Sequence, residues 1–163
     1  MKKLLYLLLV LPFALMISSC SSDDDLPDVK VTMSFDNAAV KDGSVYVVKT
    51  DTLKITNIET KALNSDKAAA LVNVDYFWNG IPAPGLTFSN FPLNIPMEKM
   101  PLVESGANIL GMRATVLEVD KSMAYCTIRI PVVAVESADD MPDGLVPGEA
   151  VLSMQLGQSK SKN

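Results

Sequence analysis

The stretch Ala69-Ala70-Leu71-Val72-Asn73-Val74-Asp75-Tyr76-Phe77-Trp78-Asn79-Gly80 decides the fold class. Side chains alternate between the two sides of an extended chain. Ala70, Val72, Val74, Tyr76 and Trp78 therefore share one face, and Leu71, Asn73, Asp75 and Phe77 the other. Asn79-Gly80 supplies the two positive backbone angles of a tight hairpin turn. The returning strand starts at Ile81, but Pro82 and Pro84 have no N–H to donate, so it must be short, at an edge, or both. Pro92, Pro96 and Pro101 continue the interruption. Over 81–101 the reading is one edge strand near Leu86 to Phe88 and a second near Leu93 to Met97.

On either side the same period of two recurs. Val29, Val31, Met33 and Phe35 alternate with Lys30, Thr32 and Ser34; Lys41-Asp42-Gly43-Ser44 is turn chemistry; Val45 to Lys49 is β-rich; Leu53 and Ile55 alternate with threonine and lysine. Beyond the prolines, Ile109 to Val119 places Leu110, Met112, Ala114 and Val116 inward, with Arg113 and Thr115 outward. Met123 to Val135 returns with Ala124, Cys126, Ile128 and Ile130 on one face, and Pro131 marks a bulge or strand switch. No stretch sustains a period of 3.6. About seven short strands at roughly 8–12-residue spacing predict an all-β protein built as a β-sandwich. Ser137 to Gly144 reads as a polar loop, Val151 to Leu156 as a further edge strand, and Gly157 to Asn163 as a disordered end.

The opening residues carry an address. Lys2 and Lys3 precede an uncharged run from Leu4 to Ile17, which is 14 residues long, whereas crossing a bilayer takes roughly 20. Ile17-Ser18-Ser19-Cys20 follows, then Ser21-Ser22-Asp23-Asp24-Asp25. Basic start, short apolar run and small-residue cleavage site make a secretory signal. The cysteine at the cut makes it resemble a bacterial lipoprotein signal. That resemblance implies that Cys20 is acylated, becomes the mature N-terminus, and holds the chain at a membrane. Ser22 to Asp25 is similar to the serine-plus-acidic signal of Bacteroidota-type surface lipoproteins, which implies the outer membrane, facing the cell exterior. The organisation read from this is a signal peptide over 1–19, an acidic tether over 20–27, one domain over 28–136, and a C-terminal extension over 137–163.

Composition removes several function classes. Cleavage would take away Lys2 and Lys3 and no acid, leaving 12 basic against 19 acidic residues. The lysines are scattered, so no basic patch is available for nucleic acid. There is no histidine in the chain, which excludes Ser-His-Asp and Cys-His nucleophile systems and imidazole metal ligands. Of two cysteines, Cys20 is committed to lipid, so Cys126 is expected to have no intrachain partner and to act as a small buried apolar residue.

The order of a long strand, a Trp-Asn-Gly turn, a proline-rich edge, a Ser-Gly-x-Asn turn and a final hairpin ending in Pro-Val-Val resembles Ig-like domains of bacterial surface lipoproteins. It covers about residues 28–136 and implies a single Ig-like (Greek-key) β-sandwich. The chain departs from that family's antibody-type members. It lacks the inter-sheet disulfide, has no tyrosine two residues before Cys126, and carries Asn108 where many have histidine after the glycine.

Candidate sites follow. Trp78, the only tryptophan, reads as a core residue between sheets rather than a sugar-stacking platform. Phe77, Phe88 and Phe91 are the candidate ligand-binding residues: either an exposed aromatic platform at the edge, or side chains buried beneath Pro92 to Pro101. Glu136, Asp139, Asp140 and Asp143 lack calcium-loop spacing and read as a solvated loop. Glu118 with Asp120, and Asp75 with Glu104, are carboxylate pairs of the kind any acidic chain offers. No catalytic residue, metal or cofactor is expected. The expectation is a non-catalytic module for glycan or nutrient capture or adhesion; the alternative is a spacer or subunit of an envelope assembly.

Overall fold

The computed structural model of the chain describes residues 19–21, 29–63, 68–87, 89–102, 107–118 and 123–156. In chain order its strands are Ser19–Ser21 (β1), Val29–Lys41 (β2), Ser44–Val48 (β3), Thr52–Ala62 (β4), Ala69–Trp78 (β5), Ile81–Pro82 (β6), Leu93–Pro96 (β7), Asn108–Glu118 (β8), Met123–Val135 (β9) and Gly148–Leu156 (β10). Three single 3-10 turns, at Met97–Lys99, Ala138–Asp140 and Pro142–Gly144, are the only helical pieces among the described residues. The protein is all-β, with ten described strands rather than about seven.

Turn chemistry works where the sequence places it. Asn79 and Gly80 take φ of 49° and 81°, and Trp78 pairs with Ile81 across them. Asp42 and Gly43, at 49° and 76°, close the β2–β3 hairpin in the same way. Both turns are the left-handed two-residue kind that suits strand twist.

The strands hydrogen-bond in the order β6-β5-β8-β9-β3-β2-β4-β7, with β1 added to β9 and β10 added to β2. All ladders are antiparallel except β3 against β9, which is parallel. Strand β2 serves both halves of this path. Residues 29–36 pair with β4 and 39–41 with β3. The change falls at Asn37, which has a positive φ of 58°, just after a register shift at Ser34/Phe35.

Curling brings the inward faces of both halves onto one core. Val31, Met33 and Phe35 of β2, Leu53 and Ile55 of β4 and Ile95 of β7 share a cluster with Trp78, Leu110, Met112, Ile128 and Ile130 from the other half. Each such large side chain stabilises the fold by about 2–3 kcal/mol through burial. A small satellite of Ala39, Val48 and Met141, with Tyr46, Val135 and Leu145 against it, seats the 3-10 segment on the β2–β3 hairpin.

Four expectations need correction. The strand expected near Leu86 to Phe88 is not formed at Leu86 or Thr87: Leu86 N–H closes a turn onto the Ala83 carbonyl at 3.1 Å, and Phe88 lies outside the described residues. In β5 the alternation breaks, because Asn73 sits at a φ of 50° within a register shift between Val72 and Asp75. That extra residue turns Leu71 inward and leaves Ala70 exposed, while Tyr76 and Trp78 keep their inward places. Thr115, expected to point outward, is buried at 3% exposure. Finally, Cys126 is disulfide-bonded, and β1 sets Cys20, the other of the chain's two cysteines, directly opposite it. Pro131 introduces no register shift against β8; its missing donor falls just before Val132, where the β3 ladder begins.

Candidate functional site

The two ends of the strand path, β6 and β7, face each other across a groove of about 350 Å³. Trp78 forms part of its wall, the β5–β6 hairpin contributes Ile81 and Leu86, and the opposite side comes from Ile95, Met100 and Pro101. Prolines explain why the ends do not zip together. Pro82 in β6 and Pro96 in β7 have no N–H, so neither can extend a ladder at those positions.

A set of hydrogen bonds holds the far wall in place. Trp78 donates its indole Nε1–H to the Pro101 carbonyl at 3.2 Å, and Asn79 Nδ2 donates to the same oxygen at 3.1 Å. Asn79 also donates to Asn108 Oδ1 at 3.0 Å and accepts from Ile109 N–H on Oδ1 at 2.8 Å. Asn108, 1% exposed, reaches on to the Val132 carbonyl at 3.4 Å. The turn residue Asn79 thus ties three segments together, so the position of Pro101 is set by the hairpin it faces.

Chemically the groove is simple. Asn94 is its one side chain with a polar group apart from the indole, and no ionisable side chain lines it. Ile81, 60% exposed, stands at the rim. Such a surface can bury an apolar group; it carries no acid–base pair for catalysis.

The aromatic candidates are placed in different surroundings. Phe77 lies on the outward face of β5, opposite Gly111, with the Arg113 guanidinium 5.0 Å from its ring centroid. Phe91 packs against the core, next to the cis Phe91–Pro92 bond. Phe88 lies outside the described residues. Trp78 is 2% exposed and belongs to the core cluster. The residues that make the groove, Ile81, Leu86, Met100 and Pro101, are ones the sequence presented only as a broken edge.

The acidic loop is engaged in its own folding. Asp140 accepts from both Ser137 N–H, at 3.1 Å, and Ser137 Oγ, at 2.7 Å, in a capping box. Asp143 pairs with Lys41, and Glu136 with Lys49 at 3.0 Å. Among the described residues, no group of three metal-ligating side chains comes together. Of the sequence's carboxylate pairs, Glu104 and Asp120 lie outside the described residues. No described helix is long and apolar enough to cross a membrane.

One buried group stands out electrostatically. Tyr76 is 3% exposed, its hydroxyl meets no hydrogen-bond partner among the described residues, and burial pushes its phenol well above the usual value. It lies on β5 beside Trp78, in the core cluster. Comparison of the chain with protein-family models, curated proteins and solved structures finds no match.

Proposed function

We propose that this chain is a non-catalytic binding module of Ig-like sandwich architecture, lipid-anchored through Cys20 and facing outward from the outer membrane. The observation that carries the binding reading is the groove between β6 and β7, an apolar surface held by Trp78 and Asn79 with an exposed isoleucine at its rim. Its task would be nutrient or glycan capture, or adhesion, through a ligand that offers an apolar face.

Two pairing sets support the Ig-like reading. In one, β2, β4 and β7 lie side by side; in the other, β5, β8 and β9 do. With the β2–β3 hairpin counted as one strand and β6 as the fourth, these match the first, second and fifth strands of an Ig-like domain against the third, sixth and seventh. Support for the anchor comes from Ile17-Ser18-Ser19-Cys20 and the acidic run after it. The anchor and the Cys126 disulfide make competing demands. An acylated Cys20 sulfur is a thioether and cannot also be half of a disulfide.

The experiment is binding of the detergent-solubilised full chain to arrays of glycans and peptides, with and without Ile81→Lys. Retention of one ligand class, lost in the variant at unchanged melting temperature, supports the module. Failure to retain any class, or binding indifferent to the substitution, counts against it. A second reading, a structural subunit of an envelope assembly, is favoured by one observation: no described strand pairs with the outer side of β10.

A further inference from the structure

The sheet has a second margin, and it is built in the opposite way. Strand β10 pairs with β2 from Gly148 opposite Ala38 to Leu156 opposite Val29, with one register shift between Gly148 and Ala150, where β2 carries the extra residue, and no described strand pairs with its other side. Natural edge strands are usually made short, or broken by proline, or charged with lysine, because a free row of N–H and C=O groups invites another strand. Over its nine residues β10 has no proline and no lysine, and Glu149 is its single charge. Its alternation is regular: Ala150, Leu152 and Met154 pack toward the core, while Glu149, Val151, Ser153 and Gln155 are exposed, Val151 by 59%.

We infer that β10 pairs with β10 of a second copy of this chain, antiparallel and centred on Leu152. That centre is the one that engages all nine residues of both strands. It sets Leu152 opposite its own symmetry mate and Ala150 opposite Met154 of the other copy, extending the apolar face of each subunit. On the outward side Val151 meets Ser153, and Glu149 meets Gln155, so the strand's one charge faces a neutral hydrogen-bonding side chain and no like charges confront each other. A two-fold axis through Leu152, perpendicular to the sheet, makes the contact self-complementary and closed, so it stops at a dimer. One shared ladder is a small interface, and the association is correspondingly weak, with Kd on the order of 10–100 µM.

The test uses sedimentation of the full chain in detergent from about 1 µM to about 500 µM. In the paired register the two Val151 side chains are diagonal neighbours, within reach of long side chains. Val151→Lys alone and Val151→Glu alone should each weaken self-association about 2- to 5-fold by like-charge opposition. An equimolar mixture of the two variants should restore it as a heterodimer. Val146→Lys, in the preceding loop and 79% exposed in the parent, should leave association unchanged. A chain that stays monomeric across the range overturns the inference. So does association that ignores the charge at position 151, or that the mixture fails to rescue.

Discussion

At one margin of the sheet, β6 and β7 are two and four residues long, carry Pro82 and Pro96, and turn their ends toward a groove. At the other, β10 runs nine residues beside β2, carries neither proline nor lysine, and has Glu149 as its single charge. The first margin is held by side chains: the Trp78 indole, the Asn79 amide and the Pro101 carbonyl they share. The second is held by a single backbone ladder and the inward side chains of Ala150, Leu152 and Met154. A proline-broken edge leaves room for side-chain surface and so for a ligand. An unbroken one leaves backbone donors and acceptors and so suits a strand.

Truncations should register this difference. Trp78→Ala removes a fully buried ring and the indole bond that fixes Pro101, and should cost about 3–5 kcal/mol in urea unfolding. It should also abolish any ligand binding in the groove. Leu152→Ala, at the β10 margin, should cost about 2 kcal/mol, because the site borders solvent and collapses more easily. A Leu152 cost equal to that of Trp78 would mean that β10 is as deeply built in as the groove wall, and the comparison would fail.

Tyr76 sharpens the same contrast from within the core. Removing a buried hydroxyl that has no partner among the described residues should stabilise, so Tyr76→Phe should raise unfolding free energy by about 1 kcal/mol. Burial raises the folded-state pKa of this phenol above its ordinary 10.0. Its contribution is therefore whole below pH 10 and is lost as pH climbs above it, where the unfolded chain ionises first. Tyr76→Phe should remove part of that alkaline loss. Tyr46, whose phenol is also raised by burial and then by Asp42, should retain its own part. A smaller effect lies at the other end of the pH scale. Lys54 Nζ hydrogen-bonds Asp36 and holds its carboxyl below the ordinary 3.8. This cross-strand contribution should fade as pH falls through and below that value, and Asp36→Asn should flatten the acid limb slightly.

Much of the fold was legible in the residues. Alternation over 29–35, 53–55, 76–78, 110–114 and 126–130 fixes which side chains enter the core, and Asn79-Gly80 and Asp42-Gly43 fix two hairpins. The bulge at Asn73 was not legible, since the apolar-polar alternation continues through it unchanged. Only the left-handed backbone there reveals that Leu71, not Ala70, faces inward. The groove was hidden for another reason. Proline removes the periodic signal from 81–101, and the surface exists only because the two ends of the strand path curl toward each other. The phenylalanines drew attention as large apolar residues in a broken edge, yet Phe77 is covered by Arg113 and Phe91 lies on the core. Trp78 and aliphatic residues line the groove instead, and the turn residue Asn79 holds Pro101 in its wall. The Cys126 disulfide was missed because reading Cys20 as a lipid site left Cys126 no partner by construction.

Whether the two margins take different partners can be read from hydrogen exchange of the full chain, followed by mass spectrometry at low and high protein concentration. Amides of 148–156 should gain protection as concentration rises, while those of 81–96 should not change. Protection that rises at 81–96, or nowhere, would contradict that division.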